Sequence, residues 1–233
     1  EWNCYWMLAS GSLSRFWTIP EIAGTKSTNH IPEIIDDELR SRLSLYENKR
    51  ITYHSDLYPK STVELVNWIT RFPGSRLVIL NTVQSAAVLA DYFSGRFGRD
   101  CVEHLSTALT SNDRDNTLER VKKRLGNKKD TDWTLIATSC IEAGVNLSFR
   151  NGFRELGSLV SLLQASGRVN REGMLSNSEM WTFCISEDGM LKLNPGLKEP
   201  ATVLKGYFEG NRTIAPELST QSIADEIALY GLS

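Results

Sequence analysis

Apolar positions in this chain fall into two kinds of stretch: short dense runs, and longer segments where they recur every three or four residues. The runs Leu77-Val78-Ile79-Leu80, Trp133 to Ala137 and Met180 to Ile185 have the length and branched or aromatic content of buried strands. Further strands are expected over Cys4–Ala9, near 50–54 and near 101–105. Helical periodicity predicts helices over 61–71, from about Gln84 to Ser94, over roughly 113–125 with Leu118, Val121 and Leu125 on one face, and over about 158–169. Pro73-Gly74 breaks the chain after the first of these, and Asp113 stands where an N-cap belongs. Strand and helix thus alternate from Ser61 onward, which predicts an α/β fold: a three-layer α/β/α sandwich around a mainly parallel sheet. Ligands of such sheets sit at the carboxyl ends of strands, so the informative loops are 10–14, 81–84, 105–112, 138–147 and the two ends of the 158–171 segment.

Composition narrows this only a little. The chain has 233 residues, 41% of them hydrophobic and 23% charged, enough for a real core without disulfides. Cys4, Cys101, Cys140 and Cys184 are widely spaced with no C-x-x-C pair, and read as free buried thiols of a reducing cytoplasm. His30, His54 and His104 share no metal-ligand spacing with one another or with cysteine, and no metal site is expected. No apolar run is long enough to span a membrane, and neither a basic n-region nor a cleavage site opens the chain, so a cytoplasmic location is expected. A net charge of −2 gives no overall attraction to nucleic acid, so any such binding would need a local groove. The chain opens on Glu1 inside an apolar stretch, as an excised domain of something longer would.

Chemistry concentrates in Gln164-Ala165-Ser166-Gly167-Arg168-Val169-Asn170-Arg171. Continued as helix, this places the two arginines on one face, able to converge on one anion. Guanidinium forks match phosphate oxygens and stay charged at any working pH, which suits the charge that develops on a transferring phosphoryl group. Taken alone, R-x-x-R describes an ordinary solvated helix face. Upstream, Ala137-Thr138-Ser139 followed by Ala143-Gly144 ends a strand in a hydroxyl and then permits close backbone approach. Asn81-Thr82 and Ser106-Thr107 likewise end strands with groups suited to phosphate contacts, or to plain strand capping.

In this order the segments resemble the motifs of superfamily 2 helicases. Q-x-x-G-R-x-x-R is similar to the sixth motif, 137–147 to the fifth and Leu77–Val83 to the fourth, while Leu8-Ala9-Ser10-Gly11-Ser12-Leu13 resembles the third. Within the superfamily, His104–Leu109 with Arg114, Ile141–Val145 with Phe149, Arg154-Glu155-Leu156-Gly157 and the ending A-S-G-R-V-N-R-E-G resemble the CRISPR-associated helicase-nucleases of type I systems. The resemblance covers about half of the chain, residues 5–15 and 75–185. It implies a RecA-like second motor domain, with residues 1–19 closing a first RecA-like domain, 20–60 connecting, 61–195 forming the second domain and 196–233 an extension that packs back on it.

By that likeness Arg168, Arg171 and Gln164 serve catalysis across an interdomain cleft, and Gly144, Asn146 and Gly167 lie against the nucleotide. Asn81, Thr82, Ser106, Thr107 and Thr138 contact nucleic acid, while Ser10, Ser12 and Glu142 couple the two ligands. ATP and Mg²⁺ would be gripped mainly by the first domain, since no G-x-x-x-x-G-K-[ST] and no Asp-Glu-x-His box occurs here. The implied partners are single-stranded DNA, an RNA-guided CRISPR surveillance complex, and the first RecA-like and HD nuclease domains of the same protein. The sequence departs from the family at Asn146, where aspartate is usual, at Ser10-Gly11-Ser12 for Ser-Ala-Thr, and at Val160, where an aspartate often stands. Asparagine cannot hold an arginine by charge. Asn146 and Gly11 motivate a rival expectation, a non-catalytic helicase-like scaffold or regulator. A third expectation is a helicase acting on RNA. The tryptophans, and the basic cluster of Lys122-Lys123-Arg124 with Lys128-Lys129, read as packing groups and a solvated face, with nucleic-acid contact as the alternative.

Overall fold

The structure, a computed structural model, describes residues 14–24, 32–142, 144–187 and 190–231. The strand expected over Cys4–Ala9, together with Ser10 and Ser12, lies outside these residues.

Among the described residues one six-stranded sheet forms, from β1 (Thr52–Lys60), β2 (Arg76–Ile79), β3 (Val102–Leu105), β4 (Thr134–Ala137), β5 (Asn151–Glu155) and β6 (Glu179–Ile185). Its order is β1-β6-β5-β2-β4-β3, and every neighbouring pair is parallel. The helices are α1 (Pro20–Ala23), α2 (Asp37–Arg50), α3 (Thr62–Ile69), α4 (Val83–Phe97), α5 (Ser111–Gly126), α6 (Leu159–Ser166), α7 (Lys198–Glu209) and α8 (Leu218–Tyr230).

Strand alternation sorts the core into two layers. Leu77, Ile79, Leu135 and Ala137 point to one face, where Val121 of α5, Leu159, Leu162 and Leu163 of α6, and Val203, Leu204 and Tyr207 of α7 cover them. Val78, Ile136, Phe153 and Phe183 point to the other, under Leu65, Val66 and Ile69 of α3 and Ala86, Leu89 and Phe93 of α4. The fold is therefore the RecA-like α/β/α sandwich, and the tail packs back through Val203, Leu204 and Tyr207 of α7, whereas its apolar Leu229 and Tyr230, expected to pack, are exposed. Both flanks of the sheet belong to one sequence logic: a buried four-residue run such as β2 can be apolar on both faces because helices cover both.

Local signals set the helix ends. Ser61 and Glu64 form a reciprocal capping box that starts α3. Thr110, not Asp113, caps α5: Thr110 has extended backbone, its hydroxyl accepts from Asp113 N at 3.2 Å, and Asp113 sits inside the first turn, accepting from the same hydroxyl at 2.7 Å.

Three features depart from the periodicity. The strand expected near 50–54 forms as β1 but runs on to Lys60 as an edge of the sheet, and the connector before it holds the fourteen-residue α2, which the pattern does not predict. β5 is a fifth, interior strand between β2 and β6, in a segment with no apolar run. And α6 stops at Ser166, so Arg168 and Arg171 do not share a helical face. Gly167 and Arg168 turn, Val169 makes a bridge with Phe149, and Asn170 takes a left-handed φ of 42°, which breaks any continuation.

Candidate functional site

Because the strands are parallel, their carboxyl ends share one edge. Thr138 N donates to Leu105 O at 3.1 Å and Leu80 N to Ala137 O at 2.9 Å, so Ser106, Thr138 and Asn81 stand in a row across β3, β4 and β2. Neighbouring members are roughly 4.8 Å apart, the spacing of paired strands. Ser106 is fully buried and its hydroxyl has no hydrogen-bond partner. Thr138 is buried with its hydroxyl 3.5 Å from Cys140 Sγ, and Thr107 is exposed. Asn81 is held by its own domain: its Nδ2 donates to Leu156 O at 2.9 Å and its Oδ1 accepts from Arg154. Thr82 caps α4, accepting from Ser85 N at 3.1 Å. Both are thus engaged internally, which leaves Thr107 the openly exposed hydroxyl of the set.

The arginine segment occupies the other end. A parallel β-α-β crossover carries α6 back toward the amino ends of the strands, and Phe149, two residues before β5, donates from its N to Arg168 O at 2.8 Å and accepts from Asn170 N at 2.7 Å. Loop position by strand end alone therefore misplaces this segment. From there the Arg168 side chain reaches back: Nε donates to Ile141 O at 3.1 Å and Nη2 to Glu142 O at 2.8 Å. Arg168 is buried, and that burial, joined by the positive charge of Arg171, lowers its pKa. The two guanidiniums thus remain close enough to repel although they do not share a helix. Arg171 is exposed and donates to Gly167 O at 3.3 Å. Gln164 is exposed on the last turn of α6.

Residues that carried no role in the sequence reading fix this loop. Arg50, the last residue of α2, is buried and donates to Ser166 O at 3.2 Å and to Val169 O. Tyr53 donates its hydroxyl to Ser166 Oγ at 2.8 Å. Asn170 Nδ2 donates to Arg50 O and to Leu175 O, each at 2.8 Å, and its Oδ1 accepts from Leu175 N at 2.9 Å. No spacing rule points to Arg50, since its partners lie more than a hundred residues away.

A buried charged cluster sits between the two ends. Arg154 Nε lies 2.8 Å from Glu142 Oε1, with side chains only 4% and 7% exposed. Glu155 accepts from Asn81 N at 2.7 Å through one oxygen, while its other oxygen has no partner. Burial raises the Glu155 pKa to about 7, against the opposing pull of the Asn81 amide and Arg154. Burial likewise raises that of Glu142, with Arg154 and Arg168 opposing.

The remaining candidates are placed plainly. Gly144 has φ 76° and Asn146 is exposed beside it, on the crossover between β4 and β5. Gly167 closes α6 with ordinary φ, and a Cβ there would come within 3.3 Å of Gln164 O. Lys122, Lys123, Lys128 and Lys129 are exposed, whereas Arg124 pairs with Asp130 at 2.7 Å and stacks over the buried Trp133. Trp68 and Trp181 join Phe72, Phe153 and Phe183 in an edge-to-face cluster, a packing role. Cys101, Cys140 and Cys184 are free but only half-buried, contrary to the expectation of full burial, and Cys4 lies outside the described residues. Among the described residues no His, Cys, Asp or Glu group is arranged to hold a metal ion, and no helix is long and apolar enough to cross a membrane.

Against known proteins, residues 73–174 match the family described as CRISPR-associated nuclease/helicase Cas3, C-terminal. A Haloferax volcanii protein named CRISPR-associated nuclease/helicase Cas3 is 54% identical over 39 residues, 17% of this chain and 4% of that protein. The crystal structure of T. fusca Cas3 superposes with a TM-score of 0.59 at 15% identity, covering 76% of this chain and 24% of that one. A structure titled CRISPR RNA-guided surveillance complex, pre-nicking, gives 0.53 at 14% identity, covering 77% and 26%. The chain thus spans about a quarter of the length of these two solved structures. The shared RecA-like fold comes from the structures and the family likeness from residues 73–174, which contain the 137–147 segment and both arginines: that stretch of the chain matches the C-terminal domain of the Cas3 family.

Proposed function

We propose that this domain is the C-terminal motor half of an ATP-dependent superfamily 2 translocase that moves on single-stranded DNA in the cytoplasm. It would be joined in the whole protein to a first RecA-like domain and an HD nuclease, and recruited to an RNA-guided CRISPR surveillance complex. The observation that carries this reading is the exposed Arg171 guanidinium on a loop pinned by Arg50, Tyr53 and Asn170. A charge held on a fixed backbone, exposed and tied at its tip by a single 3.3 Å bond to Gly167 O, fits a phosphate presented by a neighbouring lobe.

ATP with Mg²⁺ supplies the phosphoanhydride whose cleavage drives movement, and the first domain holds both. Arg171 reaches the terminal phosphate and stabilises its developing charge. Arg168, committed to Ile141 O and Glu142 O, adds positive field and fixes the crossover loop rather than reaching out itself. Gln164 orients the attacking water from the end of α6. On the carboxyl edge the exposed Thr107 meets the DNA backbone, with the buried Thr138 and Ser106 and the internally bonded Asn81 and Thr82 shaping the loops beneath it, a sequence-blind contact suited to phosphate.

In the full-length protein, Arg171→Ala should lower DNA-stimulated ATP turnover about 10³-fold, the usual size of an arginine-finger effect. The 233-residue chain alone should show no turnover. Turnover by the pure chain that is lost on Arg171→Ala would refute the division of labour, an Arg171→Ala protein with unchanged turnover would remove Arg171 from catalysis, and a full-length wild type without turnover would support a scaffold instead. Stimulation by RNA and not DNA would redirect the substrate assignment.

A further inference from the structure

The carboxyl-edge row and the arginine loop lie at opposite ends of the strands, and one side chain spans the gap between the segments that serve them. Arg154, at the end of β5, is 3% exposed. Its guanidinium donates from Nε to Glu142 Oε1 at 2.8 Å and from Nη1 to Asn81 Oδ1, with a further bond to Glu155 O at 3.1 Å. Asn81 opens the loop leaving β2, and Glu142 belongs to the crossover leaving β4, whose backbone carbonyl is the one Arg168 holds at 2.8 Å. Arg168, the Glu142 main chain, the Glu142 carboxylate, Arg154 and Asn81 therefore form a continuous polar chain from one ligand end to the other.

We propose that Arg154 is a positioning residue that locks the loop after β2 to the crossover after β4, so that DNA on the carboxyl edge and phosphate at the arginine loop are felt by one rigid unit. The inference rests on the motor reading above. Stability alone is a poor account of the arrangement. A buried ion pair between β5 and a loop is on average no better than two well-packed apolar side chains, because both charges lose their water. What an apolar pair cannot supply is a planar fork that donates in fixed directions to two separate loops at once. Glu155 completes the tie from below by accepting the Asn81 N at 2.7 Å, so the loop after β2 is held by backbone and side chain together.

The test is ATP hydrolysis by the full-length protein with and without single-stranded DNA, reading kcat and the KM for ATP separately. Arg154→Met is expected to lower the ratio of DNA-stimulated to DNA-free kcat about tenfold while the KM for ATP changes less than twofold. Arg154→Lys keeps the charge but cannot span both acceptors, and should lose about threefold. Because Arg154→Met leaves Glu142 buried and unpaired, the double variant Arg154→Met with Glu142→Met is measured beside it. It should recover the thermal stability of the wild type without recovering the stimulation ratio. Recovery of both together would mean that the pair is structural only, and would overturn the proposal, as would a ratio unchanged in Arg154→Lys and the double variant. A wild type whose hydrolysis ignores DNA overturns the motor reading and this inference with it. A stimulated wild type matched by the variants overturns this inference alone.

Discussion

The Arg50 guanidinium donates to the carbonyl oxygen of Ser166 at 3.2 Å, across 116 residues of sequence. It also donates to Val169 O, so one buried side chain at the end of α2 satisfies the two carbonyls that flank the turn out of α6. Helix carboxyl termini leave such groups without internal partners, and a turn made without a glycine at positive φ depends on outside donors. Arg50→Ala removes those donors: Ser166 O keeps a bond from Val169 N at 3.0 Å, while Val169 O loses its donor in a dry setting, which costs about 1–3 kcal/mol. The variant should lose on the order of 2 kcal/mol in urea denaturation of the domain. Arg50→Lys, with one ammonium in place of a fork, should lose more than half as much. A loss under 0.5 kcal/mol, roughly the size of an ordinary surface substitution, would show that the loop holds itself.

How far the fold can be read in advance follows from where its polar groups go. β2, β4 and β6 announce themselves because their interior residues are apolar on both faces. β5 does not, although all five of its residues, Asn151-Gly152-Phe153-Arg154-Glu155, are buried. Its hydrophobic content is a single phenylalanine, and its burial is made possible by partners invisible to a local window: Pro73 O and Glu179 N for Asn151, Glu142 and Asn81 for Arg154. The same cause hides the site's supports. Arg168, Arg171 and Gln164 are legible because they recur at fixed spacing in one segment, whereas Arg50, Tyr53 and Arg154 act through contacts that only the folded sheet creates. The helical reading of the two arginines fails for a local reason, the left-handed Asn170 whose side chain bonds Arg50 O and Leu175 in place of a helical turn.

Gly152 shows the same closeness on the apolar side of β5. A Cβ at this position would lie 2.5 Å from Met180 Sδ and 2.5 Å from Val169 Cγ2. The methionine end can swing aside, but the valine methyl belongs to the arginine loop and yields only if that loop moves. Gly152→Ala should therefore cost about 1–3 kcal/mol, the range for overpacking a filled core. Adding Val169→Ala should then cost less than the same substitution does in the native background, since it vacates the contested space. A thermal-denaturation double-mutant cycle checks this, and strict additivity of the two losses would place the strain elsewhere.

Glu155 sets a pH dependence whose sign can be worked out. Its carboxyl is raised from 4.5 to about 7 by burial, so between these values the folded protein holds a proton that the unfolded chain has released. Folding therefore binds protons in that window, and stability falls as pH rises from 4.5 through 7, then levels off. At 1.36 kcal/mol per unit, the full cost above pH 7 is on the order of 3 kcal/mol. Glu142, raised in the same direction, adds to the slope, so the wild-type curve alone does not isolate Glu155. Glu155→Gln does: the amide oxygen still accepts the Asn81 N–H but cannot ionise. The variant should match the wild type near pH 4.5 and exceed it by as much as about 3 kcal/mol at pH 8, as read by denaturant titrations across that range. Two stability curves running parallel from pH 4.5 to 8 would mean that the unpartnered Glu155 oxygen finds compensation in the folded state, and that its carboxyl titrates near its ordinary value.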